Sequence, residues 1–180
     1  ASTGVHSNGL TLARKVLLGD SLDEQKSRVN DYEEFLGQTL GEALLEPTRI
    51  YVQPIMEMLD KEIDLKAMVH ITSGGFCNLN RVACDGIRFV IDRLQPVPEI
   101  FNLIQDRGGV SEAEMFEVFN MGTGFCLVVE GIKEVEAITE ICKAYDLPCQ
   151  VIGQIEASQD KEVCLPTKQL IGKGSKFKVS

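Results

Sequence analysis

The chain has 180 residues, 44% of them hydrophobic, which is enough for one domain with a real core. Its formal net charge is −9, so we expect neither nucleic acid nor an anionic membrane as a general partner. Glycine-rich backbone amides can still hold a small phosphate against that net charge. No apolar run has the length of a membrane span, and we expect no membrane partner.

Hydrophobic periodicity predicts helices and strands that alternate along the chain. In chain order the predicted elements are a helix over 10–18, a surface excursion with a short helix over 20–41, a helix that begins near Pro47, a strand over 67–72, a strand over 86–92, a helix opened by Pro98, a helix capped by Ser111, a strand over 124–130, a helix over 133–146, and two strands over 148–157 and 162–166. We expect the last two strands to pair as a hairpin. No repeat or linker divides the chain, so the sequence predicts one α/β domain.

The six cysteines form no C-x-x-C pair and lack the spacing of a zinc site. Several lie inside apolar runs, such as Cys126 in GFCLVV and Cys164 in EVCLP, where cysteine packs as a small hydrophobe. We therefore expect reduced thiols, no metal ligands and a cytoplasmic protein.

Three glycine-containing loops lie between predicted elements: GVHSNG at 4–9, HITSGGFCN at 70–78 and FNMGTGF at 119–125. None is a complete dinucleotide-binding fingerprint, and none carries the lysine of a Walker motif. Taken singly, each loop indicates no more than a turn. Arg49, near the predicted helix start at Pro47, suits a phosphate, although a surface salt bridge is the simpler interpretation.

Histidine occurs only twice, and His6 and His70 both lie in these loops near a small hydroxyl residue. A single histidine of this kind is most simply a hydrogen-bonded turn or strand-end residue. Because both histidines are placed in this way, a shared polar site is as plausible as a chance arrangement of two unrelated residues. Such a site would bind an anion or act as general acid or base, because imidazole titrates near neutral pH. Asn8, Asn78 and Asn120 adjoin the same loops, where asparagine also serves simply as a turn residue.

Four segments together resemble one known family. STGVHSNGLTLARKVLL, LLEPTRIYVQPI, HITSGGFCNLNRV and EMFEVFNMGTGF, in this order and at these separations, resemble the C-terminal domain of phosphoribosylformylglycinamidine cyclo-ligases, also called aminoimidazole ribonucleotide synthetases. The likeness runs from residue 2 to about residue 157. It implies an α/β fold, an α+β sandwich in which helices pack on a mixed sheet.

The resemblance also implies a domain organisation and a reaction. Residues 1–180 would be the single C-terminal domain of a larger two-domain enzyme, a homodimer whose N-terminal domain forms the dimer core and makes most contacts to ATP and Mg²⁺. The enzyme would be a ligase of purine biosynthesis that converts formylglycinamidine ribonucleotide to aminoimidazole ribonucleotide and releases ADP and phosphate. The domain alone would be inactive, because the active site of that family lies between the two domains.

Two alternatives stay open at this point. One is a paralogue of the same architecture that acts on another small molecule, such as thiamine monophosphate or selenide. The other is a binding module that keeps the fold without catalysis, although such a module has no need of both histidine loops.

Matching the motifs residue by residue implies a set of site residues. His6 and His70 are the catalytic candidates, and either would remove a proton from the attacking nitrogen or stabilise charge on the phosphorylated formamide. The residues implied for binding the substrate or its phosphate are Ser7, Asn8, Gly9, Thr72, Gly74, Gly75, Asn78, Asn120 and Gly122, with Met121 and Gly124 in the same loop as the last two. No metal ligand is implied within this chain.

The chain departs from the family pattern at three positions. Ser73 stands where a glycine is usual, and the loop is one residue shorter before Asn78. Asn80 replaces a usual proline, and Gln53 stands where lysine is common. These departures bear on loop geometry more than on membership of the family.

Overall fold

The computed structural model describes residues 1–179. The elements in chain order are α1 (Leu10–Leu18), α2 (Leu22–Arg28), β1 (Tyr32–Glu33), β2 (Gln38–Thr39), α3 (Leu40–Leu44), α4 (Val52–Asp60), β3 (Ala67–His70), a 3₁₀ helix (Gly75–Arg81), β4 (Ile87–Ile91), α5 (Glu99–Gly108), α6 (Glu112–Val118), β5 (Phe125–Val128), α7 (Ile132–Ala144), β6 (Gly153–Ala157), β7 (Glu162–Leu165), a second 3₁₀ helix (Pro166–Lys168), β8 (Leu170–Lys173) and β9 (Lys176–Val179).

The largest sheet has five strands in the order β6-β4-β7-β8-β9. β4 pairs antiparallel with β6 and parallel with β7, so the sheet is mixed. β3 and β5 form a separate antiparallel pair in which His70 lies opposite Phe125. The predicted α/β fold with a mixed sheet and packed helices is confirmed.

The predicted hairpin between the last two strands is wrong, because β4 lies between β6 and β7. Phe89 and Ile91 of β4 are buried, and pairing on both sides of β4 keeps its backbone groups satisfied there. The short connection 158–161 is therefore not a hairpin turn. β8 and β9, which the sequence did not predict, continue the sheet and bury Leu170 and Phe177.

Helix α4 begins at Val52, five residues later than the sequence predicted. The preceding segment is held away from helical geometry by tertiary contacts. The carbonyl of Pro47 accepts a hydrogen bond from the Thr3 hydroxyl at 2.8 Å. Arg49 Nη1 donates to the carbonyl of Asp146 at 3.3 Å. Pro54 occupies the first turn instead, where an amide hydrogen has no partner within the helix.

Other predicted boundaries are confirmed. Gly19 ends α1, and Pro98 precedes the first residue of α5. The Ser111 hydroxyl caps α6 by accepting a hydrogen bond from the Glu114 amide at 3.3 Å. The acidic excursion contains α2, as expected, together with the small β1–β2 hairpin.

Two hydrophobic clusters form the core. The main cluster joins α1, α5, α6 and the five-stranded sheet, and its largest fully buried side chains are the aromatic rings of Phe76, Phe101, Phe116 and Phe119. The smaller cluster lies between α4 and α7 and includes Met58 and Ile138. All six thiols are free, and Cys126 and Cys164 are buried as predicted. Within residues 1–179, no helix is both long and apolar enough to cross a membrane.

Candidate functional site

The structure brings the three glycine loops together. Asn8 of the first loop accepts hydrogen bonds at its Oδ1 from the amide and hydroxyl of Ser73 in the second loop, at 3.0 and 3.1 Å. Asn120 of the third loop donates from Nδ2 to the carbonyl of Gly4 at 2.8 Å. The pairing of β3 with β5 places the second loop beside the third. The candidate site is the surface where these loops meet.

His6 is held inside the first loop rather than at its surface. Its backbone has a φ of 58°, and the residue is only 6% exposed. Its Nε2 accepts from the amide of Thr3 at 3.2 Å and lies 2.8 Å from the hydroxyl of the same residue. Burial, followed by the charges of His70 and Arg49, lowers the pKa of His6. The contact with an amide hydrogen assigns a neutral ring with its proton on Nδ1.

His70 has a different environment, at the exposed end of β3. Its ring lies 5.7 Å from the ring of Tyr51 in an edge-on arrangement and 5.7 Å from the ring of Phe125. Its charge is near enough to His6 to lower the pKa of that ring. The two predicted histidines therefore share one electrostatic neighbourhood, and of the two only His70 is exposed.

The second loop is fixed by a glycine and a buried asparagine. Gly75 has a φ of +51°, and a Cβ at this position would lie 1.9 Å from the carbonyl oxygen of Phe116. Only glycine permits both this backbone conformation and this close approach. Asn78 is buried and donates from Nδ2 to Thr72 Oγ1 at 3.3 Å and to the carbonyl of His70 at 3.5 Å. Asn78 and Thr72 therefore hold the loop in shape from within.

Asn120 in the third loop is buried, and its polar groups are engaged within the protein. Its Oδ1 accepts from the hydroxyl of Ser2 at 2.6 Å and from the amide of Gly122 at 3.0 Å, in addition to the bond that Nδ2 donates to Gly4. Met121 is also buried. The structure thus places Asn120 and Gly122 beside the first loop as internal connections.

The first loop offers backbone donors at the start of α1. Gly9 is the N-cap residue, with a φ of 73° and no side-chain cap, and Ser7 before it is exposed. The first amides of a helix have no partner within it and carry the positive end of the helix dipole. An anionic group of a substrate can bind at such a helix start.

Two arginines contribute positive charge near the loops. Arg81 Nη2 donates to the carbonyl of Ser73 at 3.4 Å, and Arg49 influences the pKa of His6. Neither guanidinium lies within ion-pair distance of a carboxylate in the part of the chain that the structure describes. The surface salt bridge considered for Arg49 is therefore wrong. Both charges are available to an anionic ligand in a chain whose net charge is negative.

Two of the departures from the family pattern, Ser73 and Asn80, have structural roles. Ser73 uses both its amide and its hydroxyl to bind Asn8. Asn80 is buried and donates from Nδ2 to the carbonyls of Gly172 and Gly174, at 3.2 and 3.3 Å, so it fastens the β8–β9 turn to the second loop. Gln53 lies exposed on α4 and makes no contact that explains its presence.

Sequence reasoning missed two residues of the site. Thr3 holds the ring of His6, and Tyr51 packs on His70, while burial raises the pKa of the Tyr51 hydroxyl to about 12. Thr3 lies three residues before His6, so proximity in sequence was the one available signal. Among residues 1–179, no group of three or more His, Cys, Asp or Glu side chains is arranged to hold a metal ion.

The structure is an α/β domain in which three glycine loops meet, with one histidine in each of two of them. Residues 1–165 match the family described as AIR synthase related protein, C-terminal domain. The chain belongs to this family, which confirms the resemblance seen in the loops.

Similar relatives are named phosphoribosylformylglycinamidine cyclo-ligase. The relative from Methanococcus maripaludis is 44% identical over 157 residues, which are 87% of this chain and 43% of the relative. That from Methanocaldococcus jannaschii is 46% identical over 156 residues, 86% of this chain and 42% of the relative. That from Carboxydothermus hydrogenoformans is 42% identical over 164 residues, 91% of this chain and 46% of the relative. The chain spans less than half the length of these relatives.

Proposed function

We propose that this chain is the C-terminal domain of an ATP-dependent phosphoribosylformylglycinamidine cyclo-ligase that acts in purine biosynthesis in the cytoplasm. The observation that carries the proposal is the convergence of the His6 and His70 loops in a member of this family. The remainder of the enzyme is an N-terminal domain that forms a homodimer and contacts ATP and Mg²⁺. The relatives' greater length supports a second domain of similar size.

The different environments of the two histidines support a division of roles. His70 is exposed, so its ring contacts the substrate and accepts the proton of the attacking amidine nitrogen. His6 is buried and bound to Thr3, so it acts as a positioning residue for the first loop. The lowered pKa of His6 keeps it uncharged, which avoids repulsion when His70 gains a proton.

The phosphate of the ribonucleotide binds where backbone amides and cations meet. The start of α1 at Gly9 supplies unpaired amides, and Arg81 approaches the same side of the second loop through its bond to Ser73. These local donors offset the net charge of −9. Asn8 lies between them and holds the two loops at a fixed separation.

Residues 1–179 contain no group of three or more His, Cys, Asp or Glu side chains that could hold a metal ion, and we assign most contacts to Mg²⁺ to the N-terminal domain. When bound, Mg²⁺–ATP supplies the phosphoryl group that activates the formamide oxygen. This chain's part is to hold the ribonucleotide, orient the amidine nitrogen towards the activated carbon and remove its proton.

An exposed apolar strip beside the site supports a covering domain. Leu45, Ile50 and Val52 are 80%, 76% and 66% exposed, and the last two flank Tyr51 in the chain. Exposed apolar side chains gathered near a functional site are typical of an interaction surface. We assign this strip to the N-terminal domain.

The test is ADP release driven by formylglycinamidine ribonucleotide, measured with this chain alone and after addition of the N-terminal domain of a relative. We expect activity only in the mixture. His70→Asn should lower it at least about 100-fold, as loss of a general base does. His6→Asn should lower it less, because His6 touches no substrate.

Two outcomes would contradict the proposal. A mixture in which both components are folded, as judged by circular dichroism, yet which releases no ADP, excludes the cyclo-ligase. ADP release with thiamine monophosphate or selenide in place of the ribonucleotide assigns the chain to a paralogue.

A further inference from the structure

A cavity of about 620 Å³ lies beside the smaller core cluster, and neither histidine lines it. Its walls come from α4, β4, β5, α7 and the segment that leads into β6, and most of the lining is apolar, with Phe89 and Ile138 among its side chains. Val151 and Ile155 of the lining are 39% and 40% exposed, so the cavity reaches solvent beside β6. A space of this size with such walls is typical of a site for one small organic molecule.

The hydroxyl and amide side chains of the lining fall into two groups. One group has hydrogen-bond partners within the protein and consists of Tyr51, Thr139, Gln150 and Gln154. The other group consists of Gln95 and Thr123. The hydroxyl of Thr123 is buried and has no partner among the described residues. Gln95 is 7% exposed, and its amide takes part in no hydrogen bond between residues that the structure describes.

The two groups without partners lie at the same end of the cavity. A Cβ at Gly122 would clash with the carbonyl oxygen of Pro96, so the residue before Thr123 packs directly on the residue after Gln95. A buried polar group that lacks a partner costs stability, and most such groups in proteins are satisfied. Two of them at one end of an apolar space are the arrangement that the polar head group of a ligand satisfies.

The charges at the lining favour an uncharged ligand. Among the described residues that line the cavity, Glu130 has the one carboxylate or basic side chain, which is 79% exposed and lies 3.4 Å from the ammonium of Lys66. The amino group of Ala1 donates a hydrogen bond to the carbonyl of Pro148 at 2.8 Å. Both charges therefore have a partner already. Burying a charged ligand without a partner among apolar side chains is costly.

We propose that this cavity binds an uncharged small molecule that has an apolar body and a carboxamide-type head group. The amide of Gln95 both donates to and accepts from such a head group, because a carboxamide presents a carbonyl oxygen beside an N–H. The hydroxyl of Thr123 supplies one further donor or acceptor. The apolar body packs against side chains such as Phe89 and Ile138. The proposal does not rest on the cyclo-ligase function, because binding is measured without ATP or the ribonucleotide.

The experiment titrates 3-phenylpropanamide into the full chain, whose isoleucine methyl groups carry ¹³C, and follows those groups by NMR. We expect saturable shifts at Ile138 and Ile155, which line the cavity, with a dissociation constant of about 1 mM or lower. Ile104 is buried in the main cluster and does not line the cavity, so its signal should not move. The charged analogue 3-phenylpropanoate should bind at least about 10-fold more weakly than the amide.

Substitution of Gln95 separates the head group from the apolar body. Gln95→Met keeps the length of the side chain and removes its amide, so it should weaken binding of 3-phenylpropanamide about 10-fold and leave binding of propylbenzene unchanged. Without a ligand, the same substitution should raise the melting temperature by about 2–4 °C, because it removes a buried amide that has no partner. A glutamine with a purely structural role would instead lower the melting temperature when replaced.

Gln154→Met is the matched control, because Gln154 lines the same cavity but is exposed and donates to Glu156 at 3.0 Å. It should change neither amide binding nor the melting temperature. If Gln95→Met does not fold, Thr123→Val, which replaces the hydroxyl by a methyl group, takes its place in the comparison. The proposal is overturned if no lining methyl shifts up to the solubility limit of the amide, if the variant binds the amide as tightly as the unmodified chain, or if 3-phenylpropanoate binds more tightly than the amide.

Discussion

His6 and His70 show how one residue type acquires two roles from its surroundings. His6 is enclosed by the turn that contains it and is bonded to Thr3, whereas His70 ends a short strand beside two aromatic rings. The sequence placed both histidines in glycine loops and indicated a shared site. It could not assign their exposure, because that depends on the backbone φ of His6 and on contacts with Tyr51 and Phe125 that come from distant segments.

The lowered pKa of His6 predicts a specific pH dependence of stability. The unfolded chain has a histidine pKa near 6.5, so as pH falls through that value the unfolded state binds more protons than the folded state. His6 therefore makes no pH-dependent contribution well above pH 6.5 and destabilises the fold at lower pH. Through His6, the free energy of unfolding changes by at most about 1.4 kcal/mol per pH unit.

Urea unfolding at pH 7.5 and 5.5 measures this effect, with His6→Asn as the comparison. Asparagine tolerates the positive φ of this position but does not titrate. We expect the free energy of unfolding of the unmodified chain to fall more between the two pH values than that of the variant. Equal losses in the two proteins would show that His6 is not the group responsible.

At the scale of elements, the sequence predicted the boundaries of helices correctly where local capping determines them. It predicted them wrongly where tertiary contacts determine them. Gly19 and Ser111 mark helix ends through bonds within a few residues, so the sequence was sufficient. The start of α4 was predicted near Pro47 because proline favours a first turn. Contacts from Thr3 and to Asp146 override that preference. The same limit applies to β4, whose insertion between β6 and β7 involves partners far along the chain.

The junction of the second loop with its 3₁₀ helix allows a matched pair of substitutions. Gly75 and Gly109 have nearly equal φ values, +51° and +57°. A Cβ at Gly75 would meet the carbonyl of Phe116, whereas a Cβ at Gly109 would meet no described atom within 4 Å apart from those of its immediate chain neighbours. Alanine at either position incurs the backbone cost of about 1–2 kcal/mol. Only Gly75→Ala adds a clash with main-chain atoms.

We expect Gly109→Ala to lower the free energy of unfolding by about 1 kcal/mol. Gly75→Ala should lower it by more than about 4 kcal/mol or prevent folding, since the core against α6 would have to open. Urea denaturation followed by circular dichroism gives both values. Similar losses for the two variants would mean that the second loop can shift away from α6, and that Gly75 is not what fixes its position.

At the scale of the whole molecule, the exposed side chains of Ile50 and Val52 flank Tyr51, whose ring packs on His70 of the candidate site. The loops of the site are held together from within by the hydrogen bonds of Asn78 and Asn120. The family pattern in the sequence predicted which loops meet. The exposure of Ile50 and Val52 beside Tyr51 was not predicted, and the helix that contains Val52 begins later than expected.

The last prediction tests whether this strip receives the N-terminal domain. Ile50 and Ile132 are both isoleucines with similar exposure, 76% and 68%, but Ile50 adjoins the site and Ile132 begins α7. Replacing either by glutamate should change the free energy of unfolding by less than about 0.5 kcal/mol, because both side chains are already in water. Burying Ile50 against another domain is worth about 1.5–3 kcal/mol, so its loss should weaken association at least about 10-fold.

Sedimentation equilibrium of this chain with the N-terminal domain of a relative measures that change. We expect Ile50→Glu to weaken the complex and to lower ADP release in proportion at limiting concentrations, whereas Ile132→Glu should leave both unchanged. Equal binding by the two variants would place the covering domain elsewhere on the molecule. If only Ile132→Glu weakened binding, the interface would lie at α7, away from the histidine loops. The covering surface would then be separate from the candidate site.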